Sequence, residues 1–423
     1  MKFSDLNLSN PIIRALEDKK YEKPTSIQSK VIPTILSNRD VIAAAQTGTG
    51  KTAAFVLPIL SKLSDPKKTD KGHKVKALIL TPTRELAAQV RESVNEYSKY
   101  LDIRSTAVYG GARIHNQQLK LKKGVDILVA TPGRLLDLYR QKSVSFINIE
   151  FFVLDEADQM LDMGFINDIK TIMKLLPEKR QNLMFTATFS NLFRSLVKEV
   201  ANKPTEISVT NDNETGANIE HYVHPVDKAR KAELLFNLIE NENFLQALIF
   251  TKTKHGADRL QKQLDKLKIT SKAIHGNKTQ NNRMKALEAF KKNKIRMLVA
   301  TDVAARGLDI KNMEQVINYD VPTVARDYVH RIGRTGRAGE KGKAITLVSA
   351  DEFRLLQDIE KLLKQKIKRV EIPGFEPEQP LPVTLNLPKK KHAKKGSYRK
   401  PKSNSNSNRS RNRSRNRNRN RRR

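Results

Sequence analysis

The stretch Ala45-Gln46-Thr47-Gly48-Thr49-Gly50-Lys51-Thr52 constrains the fold more than any other part of the chain. One apolar run, 41–44, precedes it and another, 53–57, follows it, which predicts a buried strand, a loop and a helix in that order. Glycines in such a loop let successive backbone N–H groups converge on phosphate oxygens at the positive end of the helix. The stretch therefore predicts a nucleoside triphosphate site, and the alternative is a Gly/Thr-rich surface turn.

Two side chains at the end of this loop have the chemistry that such a site needs. Lys51 supplies a point charge for the outer phosphates, and the Thr52 hydroxyl suits a magnesium ion. Ala45 stands where the usual phosphate-loop pattern has its first glycine.

The charge of the chain points to a polyanionic partner. The formal net charge of the 423 residues is +35. Residues 386–423 contain 17 Lys/Arg and no Asp/Glu, which leaves 63 basic and 45 acidic residues, a net charge of +18, for the remainder. A basic excess in both parts indicates nucleic acid as the partner. For the body of the chain, the alternative is a contribution to solubility.

The chain has no cysteine, so it forms no disulfide and no thiolate zinc site, as is typical of a reducing compartment. The N-terminus lacks the apolar segment of a signal peptide, and no uninterrupted apolar run approaches membrane-spanning length. We therefore expect a soluble, cytoplasmic protein without a membrane partner.

Short apolar runs alternate with helical patterns along most of the chain, which predicts parallel sheets covered on both faces. The predicted strands are 41–44, 77–80, 126–129, 151–154, 183–185 and 206–209, followed by 247–250, 297–300, 315–318 and 344–348. The predicted organisation is an N-terminal α/β domain over 1–209 with a lead-in over 1–29, a linker over 210–218, a second α/β domain over 219–375, and a disordered basic tail over 376–423.

Further polar motifs are expected at strand ends, where parallel sheets bind ligands. Asp155-Glu156-Ala157-Asp158 follows an apolar strand, so Asp155 is a candidate Mg²⁺ ligand and Glu156 a candidate to orient or deprotonate a water. The alternative is an acidic surface cluster. The second half has no phosphate loop but is rich in arginine at 328–337, which predicts a composite site with arginine fingers.

These motifs together resemble the DEAD-box RNA helicases. The resemblance rests on eight segments in the family's order: Tyr21 to Gln28, Ala45 to Thr52, Pro82 to Leu86, Thr131 to Arg134, Asp155 to Asp158, Thr186 to Thr188, Thr301 to Asp309, and His330 to Arg337. It covers about residues 1–372, and the motif spacing and the tail are most similar to the bacterial RhlE-like branch.

The resemblance implies an ATP-dependent, non-processive RNA helicase with two tandem RecA-like domains. It also implies that the protein uses ATP and Mg²⁺ and that it contacts the sugar-phosphate backbone of RNA. For ATP it implies Phe3 stacked on adenine, Gln28 reading adenine, Asp309 at the ribose, Arg334 and Arg337 at the γ-phosphate, and His330 coupling the domains. For RNA it implies Arg84, Gly110, Gly111, Thr131, Gly133 and Arg134 in the first domain, and Thr251, Arg283, Thr301 and Gly307 in the second.

The chain departs from the family pattern at two positions. Lys20 stands where the family usually has a glycine, and Thr186 replaces the customary serine, which adds a methyl group beside the retained hydroxyl. No Asn-Lys-x-Asp guanine-reading motif occurs, in agreement with adenine. Three function classes remain open: a helicase, an ATP-gated RNA clamp or annealing chaperone dominated by the tail, and a DNA translocase. The tail is expected to tether structured RNA.

Overall fold

The computed structural model contains two seven-stranded sheets, one in each half of the chain. It describes residues 1–45, 48–65, 72–187, 189–201, 203–208, 219–242, 244–305, 310, 313–336 and 342–382. The predicted linker and nearly all of the predicted tail lie outside these ranges.

The first sheet is entirely parallel. Its strands are β1 (Val41–Ala44), β2 (Ala77–Leu80), β3 (Ser105–Val108), β4 (Ile127–Ala130), β5 (Phe151–Leu154), β6 (Gln181–Thr186) and β7 (Thr205–Ser208), in the spatial order β3-β4-β2-β5-β6-β1-β7. Strand β1 lies between β6 and β7, with Val41 opposite both Leu183 and Thr205. The strand that leads into the phosphate loop is therefore internal to the sheet.

Helices cover both faces of this sheet. They are α1 (Asn10–Asp18), α2 (Ser26–Leu36), α3 (Lys51–Leu63), α4 (Arg84–Tyr97), α5 (Ile114–Lys122), α6 (Pro132–Arg140), α7 (Ala157–Asp162), α8 (Ile166–Leu175) and α9 (Asn191–Val200). Strands β1, β2, β4 and β5 are buried at every residue because helices pack on both sides.

The second sheet repeats this plan. Its strands are β8 (Ile219–Pro225), β9 (Ala247–Phe250), β10 (Ser271–Ile274), β11 (Met297–Ala300), β12 (Gln315–Asn318), β13 (Gly342–Val348) and β14 (Lys368–Arg369), in the order β10-β11-β9-β12-β13-β8-β14. Its helices are α10 (Lys231–Asn241), α11 (Lys254–Lys266), α12 (Gln280–Lys291), α13 (Asp302–Ala305), α14 (Ala325–Ile332) and α15 (Phe353–Leu363).

Each sheet separates two apolar clusters. In the first sheet, Val41 and Ile79 belong to one cluster and Ile42 and Leu78 to the other, as expected when successive strand residues point to opposite faces. The two-domain α/β fold expected from the sequence is confirmed. Within the described residues, no helix is long and apolar enough to span a membrane.

Candidate ATP site and RNA-facing strand ends

The phosphate loop has the backbone that its glycines allow. Gly48 and Gly50 both have φ of +90°, a region that favours glycine, and Gly50 lies immediately before α3. A Cβ at Gly50 would lie 2.4 Å from the Gln28 amide nitrogen, so this glycine also permits a close approach. Two predicted loop residues, Gln46 and Thr47, lie outside the described part of the chain.

The loop lysine is folded back onto its own loop. Lys51 is 6% exposed, and its Nζ donates a hydrogen bond of 2.8 Å to the Ala45 carbonyl. The carbonyl is a neutral acceptor, so phosphate oxygens would be a stronger hydrogen-bond partner for this ammonium. Lys51 and Thr52 both line one cleft. The carbonyl of Thr49, in the same loop, accepts a 2.9 Å hydrogen bond from the Thr25 hydroxyl.

Gln28 joins the N-terminal lead-in to the phosphate loop. Its side chain is buried, its Oε1 accepts from the Thr25 N–H at 2.9 Å, and its Nε2 donates to the Gly50 carbonyl at 3.1 Å. The amide thus has protein partners at both ends in this structure. It holds the end of the phosphate loop, at the start of α3, beside α2.

Two aromatic side chains of the N-terminal lead-in lie on the wall of the cleft that contains Lys51. Phe3 is 4% exposed and packs in the apolar cluster of the first domain, whereas Tyr21 is 42% exposed. Both line the cleft that contains Lys51. Lys20, also on this wall, has φ of +57°, which explains why the family usually has a glycine at this position.

The acidic motif follows β5 and is almost fully buried. Burial, together with the neighbouring Glu156 charge, raises the pKa of Asp155 to about 7. Burial also raises the pKa of Glu156, against the opposing charges of Lys51 and Arg334. One carboxylate oxygen of Glu156 is buried without a hydrogen-bond partner in the described part of the protein, and the residue has φ of +52°. Such a poorly solvated group is suited to accept a proton.

The last acid of the motif performs a different task. Asp158 accepts hydrogen bonds of 3.1 Å from the N–H groups of Gln159 and Ala187. The preceding residue, Thr186, accepts through its carbonyl from the Ala45 N–H at 3.0 Å. The acidic motif, the end of β6 and the start of the phosphate loop are therefore mechanically connected.

The second half contributes to the same cleft. Arg334 is 6% exposed and lies in a cleft of about 730 Å³ that also contains Lys51, Asp155 and Glu156. The charges of Arg334 and His330 both act to lower the pKa of Glu156. The structure therefore brings together five predicted residues: Lys51, Asp155, Glu156, His330 and Arg334. Arg337 and Asp309 lie outside the described residues.

Sequence reasoning assigned no role to Arg331, which is a large, fully buried side chain. It binds both carboxylate oxygens of Asp302, at 2.5 and 2.7 Å, and donates to the Asn318 side chain at 3.0 Å. Its guanidinium also lies 4.9 Å from the centre of the Phe250 ring. Arg331 lies near the end of α14 and Arg334 follows two residues after that helix ends, so this network fixes the segment that leads to the predicted arginine finger.

The predicted RNA-contact residues of the first half cluster at strand ends. A Cβ at Gly111 would lie 1.9 Å from the Arg84 guanidinium, and Gly111 has φ of +75°. Gly110 is in ordinary contact with the same guanidinium, at 3.7 Å. Arg134 donates to the Ala112 carbonyl at 3.1 Å. Two arginines from the first turns of α4 and α6 thus meet one glycine turn.

The remaining predicted contacts also follow strands. Thr131 ends β4 and caps α6, and Gly133 has open space where a side chain would lie. In the second half, Thr251 and Thr301 follow β9 and β11 and are both buried. Gly307 lies outside the described residues.

An ion pair connects the two halves at this edge. An Arg283 guanidinium nitrogen lies 2.9 Å from a Glu85 carboxylate oxygen, with side-chain exposures of 8% and 2%. The two groups form an ion pair, but the Arg283 N–H is not aligned for a hydrogen bond to this Glu85 oxygen. Arg283 is also 3.5 Å from the Ala304 carbonyl. Sequence reasoning placed Arg283 at RNA and missed its acidic partner, although Glu85 directly follows Arg84.

The site fits a magnesium ion through its donor types. Burial disfavours the charged form of the Asp155 carboxylate, which a bound cation would stabilise. The Thr52 hydroxyl, a second oxygen donor, lines the same cleft. Over the described residues, no group of three or more His, Cys, Asp or Glu side chains is placed to hold a metal.

Comparison with known proteins agrees with this architecture. The profile described as "DEAD/DEAH box helicase" matches residues 25–195, and that described as "Helicase conserved C-terminal domain" matches 230–339. The chain is 40% identical over 377 residues to the DEAD-box ATP-dependent RNA helicase RhpA of Helicobacter pylori, covering 89% of this chain and 75% of that protein. It is 42% identical over 374 residues to the ATP-dependent RNA helicase DbpA of Bacillus subtilis, covering 88% and 77%.

A solved structure shares the fold of both halves. S. cerevisiae Dbp5 bound to RNA and ADP BeF3 is 32% identical, with a TM-score of 0.78 over 88% of this chain and 95% of that chain. The fold and the cleft define a nucleotide-dependent motor of two tandem RecA-like domains. The chain belongs to the DEAD-box family of ATP-dependent RNA helicases.

Proposed function

We propose that this helicase couples RNA-stimulated ATP hydrolysis to local, non-processive separation of short RNA duplexes or to remodelling of RNA–protein complexes. The observation that carries the proposal is the composite cleft: Arg334 from the second half faces Lys51, Asp155 and Glu156 from the first. Because one site needs both halves, their mutual arrangement controls hydrolysis.

In this proposal Glu156 orients and deprotonates the attacking water, and its raised pKa makes it a better proton acceptor than an exposed carboxylate. Lys51 exchanges its carbonyl partner for phosphate oxygens. Arg334, with Arg337, stabilises charge on the transferred phosphoryl group. His330 couples the domains beside Asp327, whose carboxylate lies 3.9 Å from its ring nitrogen.

Thr52 and Asp155 would hold Mg²⁺. When bound, this ion neutralises negative charge on the phosphates. Gln28 and the aromatic wall formed by Phe3 and Tyr21 would select adenine, with Asp309 at the ribose.

For RNA, we propose a path over the strand ends of both halves. Gly110, Gly111 and the loops that carry Thr131 and Thr301 offer small side chains there, so phosphates and 2′-hydroxyls can approach closely. Recognition of this kind is largely independent of sequence. The tail would add a salt-sensitive tether to structured RNA.

We also propose a cytoplasmic location and membership of the RhlE-like branch. The motif spacing and the basic tail support the branch, and a composition without cysteine, typical of a reducing compartment, supports the location.

The test is steady-state ATPase activity of the full-length protein without nucleic acid, with single-stranded RNA, and with DNA of the same sequence. We expect RNA, but not DNA, to stimulate the ATPase activity strongly. Glu156→Gln is expected to abolish turnover and unwinding while ATP and RNA still bind. The matched control is Glu92→Gln, because Glu92 is an exposed acid on the same cleft. Annealing that survives Glu156→Gln but is lost without residues 386–423 would support an ATP-gated chaperone instead.

A further inference from the structure

Positive charge is concentrated in one segment of the second half. Residues 252–296 contain 14 lysines and arginines and three aspartates and glutamates, a net charge of +11. Outside residues 386–423 the chain has a net charge of +18, so this segment holds most of the excess. Such a local field is the electrostatic footprint of a polyanion site.

Four of these side chains form one surface, which we call the α11 stripe: Arg259, Lys262, Lys266 and Lys268. The first three lie at positions i, i+3 and i+7 of α11 and therefore point the same way, while Ala257, Leu260 and Leu264 face the core. All four stripe residues are exposed.

The stripe lies at an open side of the molecule. Helix α11 packs directly against β10, an edge strand of the second sheet. Within the described residues, Lys262, Lys266 and Lys268 have no side-chain hydrogen bond or ion pair. The two acids of α11 have other partners: Asp258 contacts His275 and Lys278 at 2.9 Å, and Asp265 accepts from Ser271 and Gln261 at 2.8 Å. The stripe is thus a row of uncompensated cations.

The stripe is continuous with the proposed RNA path. Helix α11 begins at Lys254, three residues after Thr251, and Lys254 donates to the Asn277 side chain at 2.9 Å, beside the loop that follows β10. From this strand-end edge the 13-residue helix extends about 18 Å along the outer face. That length is sufficient for about three phosphates of a chain leaving the cleft.

We propose that the α11 stripe binds the backbone of the RNA segment that leaves the cleft on the side of the second half, as a surface separate from the strand-end contacts. Unbranched lysines and an arginine on an open helix face suit phosphates and not base edges, so the contact is independent of sequence. It would hold one flanking segment while the cleft acts on the adjoining strand. The alternatives are an acidic protein partner, or lysines that only protect a sheet edge from pairing.

The test compares full-length wild type with Lys262→Gln/Lys266→Gln/Lys268→Gln. The probes are a single-stranded RNA of about 10 nucleotides, long enough for the cleft, and the same RNA extended by about 15 nucleotides at its 5′ end or at its 3′ end. Binding is measured by anisotropy with Mg²⁺ and a non-hydrolysable ATP analogue over a salt series. The matched control is Lys174→Gln/Lys179→Gln/Lys198→Gln, which removes the same charge from exposed lysines of the first half.

We expect the stripe variant to bind one of the two extended RNAs roughly tenfold more weakly at low salt, with a salt slope smaller by about 2, while the short RNA and the other extension are unchanged. Only a surface on one side of the cleft gives that asymmetry. Equal losses on both extensions, an equal loss in the control variant, or no loss would overturn the inference. The inference rests on the proposed RNA path. That path itself fails if the short RNA does not stimulate wild-type ATPase activity.

Discussion

The ion pair between Glu85 and Arg283 makes a quantitative prediction about coupling between the halves. At the observed separation of 2.9 Å, the Coulomb attraction is about 6 kcal/mol at an effective dielectric constant of about 20, before desolvation is subtracted. Removing one partner of a buried pair leaves an uncompensated charge and typically costs about 3–5 kcal/mol. This cost falls on the arrangement in which the halves meet, because separated halves let water reach both groups.

Glu85→Gln should therefore disfavour the closed arrangement by about 3 kcal/mol, a factor on the order of 100. We expect the RNA concentration for half-maximal ATPase stimulation to rise accordingly, with ATP binding to the first half preserved. The assay is a double-mutant cycle with Arg283→Met, measured as kcat/KM for RNA-stimulated hydrolysis. The double variant should lose much less than the sum of the single variants. Glu92→Gln, on the same helix but exposed, is the control.

Strict additivity in that cycle would refute the reasoning, because a pair that contributes to closure must show coupling well above about 0.5 kcal/mol. A large loss of thermal stability in Glu85→Gln alone would point to a role within the first domain instead. Unfolding of each variant is therefore measured in parallel.

Three further predictions concern separate features of the structure. In ATPase assays, Gly111→Ala should strongly reduce stimulation by RNA because the added methyl group displaces Arg84, while nucleotide binding is unchanged; full stimulation in this variant would contradict the reasoning. Lys20→Gly should raise the free energy of unfolding by about 1 kcal/mol in urea titrations, because φ of +57° strains a side-chain-bearing residue; a decrease would contradict this. Burial lowers the pKa of His224 below its ordinary value, so below about pH 6.5 the unfolded chain takes up a proton that the folded chain does not, and stability should fall. In His224→Gln the drop in urea midpoint between pH 7.5 and 5.5 should be smaller than in wild type, and the exposed His255→Gln should leave it unchanged.

The strands that sequence reasoning missed lie mostly at sheet edges. Strand β3 alternates between half-buried and buried residues, and β10 carries an exposed lysine, so neither shows the continuous apolar run of a central strand. The central strands β1, β2, β5, β9 and β11 were predicted with their observed limits, because burial on both faces favours apolar residues throughout. Strand β12 was also predicted with its observed limits, from the apolar pair between Gln315 and Asn318.

Local sequence determined the chemistry that is contiguous along the chain. The turn at Gly50 and the carboxylates after β5 follow from short-range sterics and strand-end placement, which the residues themselves encode. Tertiary structure alone decided which distant groups meet. Glu85 with Arg283, Asp302 with Arg331, and Asp158 with the Ala187 amide are partners because strand order brings separate loops to one edge. Charge pairing has no periodicity along a sequence, so such contacts are readable only once the sheets are assembled.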